Sequence, residues 1–404
     1  MSRLEELIQQ YCPDGVEYVK FEDIFDTITD YTAAGSFKSL ADNVKYLKVP
    51  DYAMLIRTTD IKSNFSKGDF IYISKSAYDY LWRVKLDKEC IVLPNVGNCG
   101  EVYYIKPDDL PYENCALAPN AILVRSSIFN NRFLYYYLQV GAFQKQLSKI
   151  TSPVGQSKFN KTELKKLIIP IPPLPVQKEI VRILDNFAEL QAELQAELQA
   201  ELQKRLQQYN YYRDNLLSFE GRTDIEYLAI PQFAELKAGK AIRAEELNEL
   251  ADDDHIFPCF GGNGIRGYIG KQSHSGDYSI IGRQGALCGC VNWATGDFYA
   301  TEHAVVCRPL ANVKSRFIYY LFRNANLNQY KSQGAQPGLS VQRLNELVFP
   351  IPSLSEQQRI VDILDRFNTL TTDITAGLPA EIEARRKQYE YYRDQLLNFK
   401  RKNI

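Results

Sequence analysis

The organisation of this chain is decided by a stretch that occurs twice. The first copy, Leu167–Phe187, reads LIIPIPPLPVQKEIVRILDNF, and the second, Leu347–Phe367, reads LVFPIPSLSEQQRIVDILDRF. A further block follows each copy, QYNYYRDNLLSF at 208–219 and QYEYYRDQLLNF at 388–399, and both blocks recur at an offset of 180 residues. A repeat of this length indicates that one structural unit is present twice.

Each copy predicts an extended, proline-stiffened entry followed by a long helix. In the first copy, Ile180, Ile183, Leu184 and Phe187 follow the i, i+3, i+4, i+7 spacing of an apolar helix face. The tandem quartets of Ala188–Gln203, built from Gln, Ala, Glu and Leu, are strong helix formers, and no Gly or Pro occurs between 176 and 219. The pattern predicts a helix of about 40 residues, roughly 60 Å long.

Such a helix, polar outside one stripe, needs a partner, and the second copy is predicted to pair with it antiparallel by pseudo-two-fold symmetry. The expected packing positions are Ile180, Leu184, Phe187, Leu190, Leu194, Leu198 and Leu202 in the first copy and Ile360, Leu364, Phe367, Leu370, Ile374, Leu378 and Ile382 in the second. Leucines every four residues overshoot the helical turn by about 40° per step, so the stripe should wind. Gly377 and Pro379 should kink or restart the second helix. The alternative for the quartets is a solvated low-complexity helix.

The segments before the two helical blocks have diverged, and both are predicted to form short strands with Gly, Asn and Asp turns, closed by a helix. The fold class is therefore α+β: two small mixed α/β domains joined by two long helices that pack as an antiparallel coiled coil. The predicted regions are head 1 (1–159), the central helix region with the quartets (160–221), head 2 (222–340) and the C-terminal helix region (341–404).

Composition excludes several classes of protein. The 404 residues are 45% hydrophobic and carry a net charge of −1, so the chain is neither disordered nor a polycation. It shows no apolar leader after Met1 and no run of about 18 apolar residues, which predicts a cytoplasmic protein without membrane contact. The 8 cysteines are scattered and are expected to be reduced and mostly buried.

No catalytic or metal site is predicted. Gly262–Gly267 matches G-x-G-x-x-G, but the residues after it favour a strand or turn over the helix that a dinucleotide site requires. Cys288 and Cys290 with His274 and His303 lack zinc-ligand spacing. The base-holding loop of an adenine methyltransferase, the phosphate loop of a motor and a nuclease cluster of acidic residues with Lys are all absent from the sequence.

Side chains that read DNA bases are plentiful in the Gly-punctuated loops, although neither head is basic: residues 1–160 carry 18 Lys and Arg against 19 Asp and Glu, and residues 221–340 carry 12 against 12. Solvated turns are the alternative explanation for each of them. The candidate DNA-binding residues are Arg57, Thr58, Lys62, Asn64, Asn95, Asn98, Asn263, Arg266, Lys271, Gln272, His274, Arg283 and Gln284.

The duplicated blocks, the quartets and the glycine-rich Phe260–Gly267 and Ile281–Gly285 resemble the specificity subunit of type I restriction-modification systems, in the branch with tandem four-residue repeats in the central spacer helix. The chain departs from that branch in having more quartets. The resemblance implies two target-recognition domains that each read half of a bipartite site in double-stranded DNA, held apart by the paired helices. It also implies that catalysis resides in partners: two modification subunits that methylate adenine with S-adenosylmethionine, and restriction subunits that translocate and cut DNA with ATP and Mg. This chain itself would then hold no cofactor.

Overall fold

The computed structural model describes residues 2–152, 156–285, 287–332, 337–372 and 377–402. The chain forms two compact units, one of Met1–Gln195 with Ala384–Ile404 and the other of Ala196–Glu383. Each unit therefore combines one head, the beginning of the helix that follows that head, and the end of the other helical block. The division runs through both predicted helix regions instead of separating them from the heads.

The first unit contains head 1 and its helices. Its helices are α1 (Arg3–Tyr11), α2 (Phe21–Ile24), α3 (Phe37–Asn43), α4 (Thr58–Lys62), α5 (Lys75–Tyr80), α6 (Asn131–Leu138), α7 (Gly141–Ile150) and α8 (Lys161–Leu164), with 3₁₀ turns at Tyr31–Ala34, Trp82–Val84 and Pro107–Asp109. Its strands are β1 (Glu17–Lys20), β2 (Thr27–Asp30), β3 (Ala53–Ile56), β4 (Ile71–Ile73), β5 (Cys90–Pro94), β6 (Tyr103–Ile105), β7 (Cys115–Leu117), β8 (Ala121–Arg125) and β9 (Ile168–Ile171).

The helix α9 (Leu174–Leu216) begins in the first unit and ends in the second. Its 43 residues confirm the long helix that the quartets predicted, and they make it about 65 Å long. Pro170 and Pro172 precede it, and Pro170 lies in β9, which pairs antiparallel with β1.

The second unit contains head 2. Its strands are β10 (Glu226–Ala229), β11 (Ala234–Ala238), β12 (Phe257–Gly261), β13 (Gly264–Ile269), β14 (His274–Ser275), β15 (Tyr278–Gly282), β16 (Val291–Ala294), β17 (Asp297–Ala300), β18 (Ala304–Pro309) and β19 (Val348–Ile351). Its helices are α10 (Ser315–Asn324), α11 (Val341–Asn345) and α12 (Leu354–Thr372), with 3₁₀ turns at Ile230–Gln232, Ala244–Glu246 and Leu327–Tyr330. The last helix, α13 (Leu378–Leu396), runs on into the first unit.

The two heads share one strand topology although their sequences share little. Head 1 has an antiparallel sheet β2-β8-β5-β6 and a sheet β4-β3-β7, and head 2 has the equivalents β11-β18-β15-β16 and β13-β12-β17, the latter extended by β14. In both heads the three equivalent strands of the second sheet form one antiparallel and one parallel pair, and in head 2 β14 adds a further antiparallel pair with β17. A further pair, β1 with β9 or β10 with β19, joins each head to the strand that precedes its long helix.

The central strands of each head bury both faces, which explains their continuous apolar runs. In β5, Ile91 and Leu93 enter the core that also holds α6 and α9, whereas Cys90 and Val92 enter a second core. In β15, Ile281 and Ile280 divide between two cores in the same way. Alternation of side chains along a strand therefore places each sheet between two apolar layers.

The long helices pair within the units, in antiparallel directions. In the second unit, the Tyr212 ring of α9 stacks on the Phe367 ring of α12 with centroids 5.3 Å apart. In the first unit, Tyr389 of α13 lies near Asp185 of α9, and burial raises the pKa of Tyr389. The earlier residue of α9, Asp185, is near the later residue Tyr389, and the later residue of α9, Tyr212, contacts the earlier residue Phe367, which is the order of an antiparallel pair.

Burial along the predicted stripe is complete only near the heads. Ile180, Leu184, Ile360 and Leu364 are fully buried, and Phe367 is half-buried. Phe187, Leu190 and Leu370 are exposed, with Leu190 62% accessible, so the expectation of a continuously buried stripe is wrong at these positions. The remaining stripe positions are half-buried: Leu194, Leu198, Leu202, Leu378 and Ile382.

The second helical block is interrupted where Gly377 and Pro379 occur. The helix α12 ends at Thr372, and α13 begins at Leu378 with Pro379 in its first turn, as the sequence predicted. Ile374, one of the expected packing residues, lies outside the described residues.

Within the described residues, no helix combines the length and the apolar character that a membrane span requires.

The cysteines differ in burial, and their reactivity can test how well the cores of the two heads are packed. All are free thiols; Cys290 is exposed, Cys99 is half-buried and the other six are buried. Burial raises the pKa of Cys90 and of Cys115 to about 12, which disfavours their reactive thiolates.

We therefore expect one fast-reacting thiol per native chain on labelling with a thiol reagent at pH 8, and reaction of all thiols in denaturant. Cys290→Ser should abolish the fast phase; a fast phase that survives this substitution would contradict the assignment.

Candidate nucleic-acid interface

The predicted DNA-reading loops occupy equivalent positions in the two heads. Arg57–Asn64 connects β3 to β4, and Gly262–Asn263 connects the equivalent strands β12 and β13. Asn95–Asn98 follows β5, and Arg283–Gln284 follows the equivalent strand β15. Unlike side chains on a shared frame are what two different half-sites would require.

The loop after β5 is hydrogen-bonded to the segment that precedes α8, and the loop after β15 is hydrogen-bonded to the segment that precedes α11. In head 1, the Gly97 N–H donates to the Ser157 carbonyl at 2.7 Å, and Val96 forms a bridge with Lys158. In head 2, Gly285 N–H donates to the Pro337 carbonyl at 3.1 Å, and Gln284 forms a bridge with Gly338. The same tertiary contact therefore orients both loops.

In head 1 the predicted arginine is a structural residue. The Arg57 guanidinium donates to the buried Asp60 carboxylate, with Nη2–Oδ1 at 2.6 Å, and also to Asp69 at 3.1 Å. The hydrogen bonds that Arg57 donates to Asp60 raise the pKa of Arg57, and the pKa of Asp69 is lowered mainly by its hydrogen bond with Arg57. The Asp60 carboxylate also accepts the backbone N–H of Arg57 at 2.9 Å, which caps α4. Arg57 is thus committed to holding its loop.

The other head 1 candidates divide by exposure. Lys62 is exposed but pairs with Glu101, which leaves little net charge there. Asn64 is exposed and adopts the left-handed region at φ +46°, which Asn tolerates in a tight turn. Asn98 is exposed, and Thr58 is half-buried in α4. The half-buried Asn95 donates weakly to the Phe159 carbonyl at 3.4 Å, while its buried Oδ1 has no hydrogen-bond partner.

In head 2 the structure brings three predicted residues together. Asn263, Arg266 and Gln284 line one open cavity of 930 Å³, and all three are exposed. Arg283 and Gln284 line a smaller neighbouring cavity of 270 Å³. The motif Gly262–Gly267 forms the turn of the β12–β13 hairpin at Gly262 and Asn263 and the start of β13, so the helix that a dinucleotide site requires is not there, as the sequence predicted.

Three predicted residues of head 2 line neither of these two cavities. Lys271 forms an ion pair with Glu246, and Gln272 is exposed in the turn beyond β13. His274 stacks on Phe298 with ring centroids 5.3 Å apart, and burial lowers the pKa of His274, with Lys237 and Lys240 adding to the effect. The stacked His274 ring is part of the packing of β14 on β17.

The residues that fasten each head to its helix were not predicted from the sequence. Arg132 of α6 donates to Asp185 of α9 at 2.8 Å, and Arg316 of α10 donates to Asp365 of α12 at 2.7 Å. The hydroxyl groups of Tyr136 and Tyr320 donate to the same two carboxylates. Each arginine also lies over three aromatic rings: Tyr104, Tyr135 and Tyr136 in head 1, and Trp293, Tyr319 and Tyr320 in head 2. The repeated Arg-Phe-x-Tyr-Tyr and the repeated Asp were the available signal.

A second feature that was not predicted lies on head 1, where an exposed aromatic side chain stands next to an exposed lysine at two places in one segment. Phe37 is 83% accessible and Tyr46 is 51% accessible, and Lys38 and Lys45 are their sequence neighbours. Phe37, Lys45, Tyr46 and Asn95 line a cavity of 620 Å³. Such neighbours are typical of surfaces that contact nucleic acid, and they were visible in the sequence.

The described residues contain no cluster of three or more His, Cys, Asp or Glu side chains that could hold a metal ion.

A family model described as the type I restriction modification DNA specificity domain matches residues 13–204 and 223–384. The chain belongs to this family. The specificity subunit of the type I restriction enzyme EcoprrI from Escherichia coli is 44% identical over 255 residues, which cover 61% of this chain and 63% of that subunit. The specificity subunit of EcoR124I/EcoR124II from Escherichia coli is 36% identical over 263 residues, covering 58% of this chain and 63% of that subunit. The chain thus spans less than two thirds of the length of these relatives.

A solved structure supports the fold. One chain from a study of complex assembly and conformational transition of the type I restriction-modification system superposes with a TM-score of 0.64 at 14% identity, covering 95% of this chain and 98% of that chain. The two matched segments of the specificity-domain family correspond to the two head-and-helix halves found in the fold.

Proposed function

We propose that this chain is the DNA specificity subunit of a type I restriction-modification complex, in which each head reads one half of a bipartite site in double-stranded DNA. The observation that carries the proposal is that the two heads share one strand order but differ in their loops. The loop between β3 and β4 and the loop between β12 and β13 occupy the same topological position and carry different side chains. Two different reading surfaces on equivalent scaffolds suit an asymmetric, interrupted site. We expect the chain to act in the cytoplasm, where double-stranded DNA that carries the bipartite site is accessible.

The chain is proposed to be non-catalytic, with chemistry supplied by partners: two modification subunits that use S-adenosylmethionine, and restriction subunits that use ATP and Mg. An exposed tyrosine pair at the end of each helical block favours docking of two copies of one partner. Tyr211 and Tyr212 have ring centroids 5.6 Å apart, and Tyr391 and Tyr392 have them 5.5 Å apart. All four rings are exposed, from 43% to 67%, and exposed aromatic patches mark protein interfaces.

Two other classes of function compete with this one. A coiled-coil adaptor with two protein-binding heads would show no preference for a DNA sequence. A stand-alone DNA-modifying enzyme would methylate or cut DNA without any partner.

Methylation mapping separates the three functions. The full chain is co-expressed with its cognate modification subunits, and adenine methylation is located by single-molecule sequencing. We expect one bipartite motif with two unlike half-sites and a fixed gap, absent when the modification subunits are expressed alone. Methylation by the chain alone, or a motif that does not depend on the chain, would contradict the proposal.

A further inference from the structure

The β12–β13 hairpin of head 2 carries a bulge at Arg266. Cys259 pairs with Gly267 and Phe260 pairs with Ile265, so Arg266 has no partner on the opposite strand. The bulge breaks the alternation of the strand, and the consecutive residues Ile265 and Arg266 are both exposed. A bulge re-aims side chains in this way, and bulges are frequent beside functional sites.

Glycines allow the tip of this hairpin to pack closely against the neighbouring sheet, which contains β15. A Cβ on Gly282 would lie 1.8 Å from the Gly262 carbonyl oxygen, so only a glycine there lets the two backbones approach. Gly264 has φ +94°, and a Cβ on it would lie 3.1 Å from the Asn292 amide oxygen. The tip is therefore held in place without the side chains of Asn263 or Arg266, which remain free for a ligand.

The polar groups around the cavity are not satisfied by the protein. Within the described residues, Asn263 makes no side-chain hydrogen bond and Arg266 makes no salt bridge. Beside them, the buried Arg283 Nε and His303 Nδ1 atoms have no hydrogen-bond partner either. A buried polar atom without a partner is costly in a folded protein, and two such atoms lie beside this open cavity, as in a site completed by a ligand.

The contrast with head 1 supports the choice of this hairpin. The equivalent connection in head 1 carries Arg57, whose guanidinium is occupied by Asp60 and Asp69, and Lys62, which is paired with Glu101. Arg266 carries a charge that no described carboxylate neutralises.

The geometry points to the β12–β13 hairpin as the base reader of head 2: the ribbon enters the major groove, Arg266 donates to O6 and N7 of a guanine, and Asn263 contacts the adjacent base. The major groove accepts a two-stranded ribbon, and Arg to guanine is the commonest specific contact in that groove. The exposed Ile265 between them is suited to contact a thymine methyl group. This inference rests on the proposed function and adds which residues determine one half-site.

The test is methylation mapping of the full chain with its modification subunits, comparing Arg266→Gln and Asn263→Ala with wild type. The matched control is Arg308→Gln, which removes the same charge from an exposed position of β18 in the same head, outside the cavity. Arg266 and Asn263 are both exposed, so neither change is expected to affect folding.

We expect Arg266→Gln to reduce discrimination about 10-fold at a guanine of one half-site, with the other half-site and the gap unchanged. Asn263→Ala should relax the neighbouring position, and Arg308→Gln should leave the motif intact. A wild-type bipartite motif that survives both hairpin substitutions overturns this inference and leaves the proposed function standing. A wild-type complex without any bipartite motif overturns both.

Discussion

Deleting one quartet, Gln191–Leu194, changes the number of base pairs between the half-sites of the methylated motif and leaves both half-site sequences unchanged. The deletion removes four residues from the middle of α9, which shortens the helix by about 6 Å and rotates its two ends by about 40° relative to each other. One base pair adds about 3.4 Å along DNA, so the expected change is one or two base pairs. Methylation at the original sites should be lost, which makes this the largest effect on activity expected for this chain.

The same mapping experiment supplies the measurement and its control. Leu194 is half-buried and its neighbour Leu190 is exposed, so the deletion leaves the cores of both heads intact. Leu194→Ala keeps the length of α9 and should keep the gap, which separates the effect of length from that of the lost leucine. The proposed spacing role of the helix is refuted if the deletion variant methylates half-sites with the wild-type gap, or if the half-site sequences themselves change.

Replacing Gln357 by Ala has the largest expected effect on stability. The side chain is fully buried, its Oε1 accepts the Lys314 N–H at 2.8 Å, and its Nε2 donates to the Pro352 carbonyl at 2.8 Å and the Asn312 carbonyl at 3.1 Å. The substitution removes the partner of one buried and two part-buried backbone groups, so we expect the free energy of unfolding of the second unit to fall by about 3 kcal/mol. The repeat-equivalent Gln177 bonds to Asn130 and Pro172 in the same manner.

Trp293 provides a local readout for that prediction. The chain has two tryptophans, Trp82 in the first unit and Trp293 in the second, and Arg316 lies over the Trp293 ring at 4.7 Å. In a Trp82→Phe background, urea unfolding followed by fluorescence reports on the second unit. The adjacent Gln358 is exposed and, among the described residues, its side chain bonds only to Asp362 at 2.7 Å, so Gln358→Ala should cost about 0.5 kcal/mol or less. Equal losses for the two variants would show that the Gln357 hydrogen bonds do not stabilise the second unit.

The candidate site illustrates why residue type alone is a weak guide to contact residues. Arg57 and Arg266 look alike in sequence, each in a polar loop between strands. The Arg57 guanidinium is paired with Asp60 and Asp69, whereas the bulge in β13 exposes Arg266. Strand register decides that outcome, and register depends on pairing between segments distant in the chain.

The sequence by itself determined the duplicated architecture, the long helix of the quartets and the interruption near Gly377, because helix formation follows from contacts within a few residues and leaves a readable period. Only the tertiary structure showed that two dissimilar heads share one strand order, that the end of each helical block packs with the opposite head, and that Arg132 and Arg316 fasten the heads to their helices. These features depend on contacts between residues far apart in the chain, where many different apolar side chains fill equivalent cores and no local pattern records the pairing.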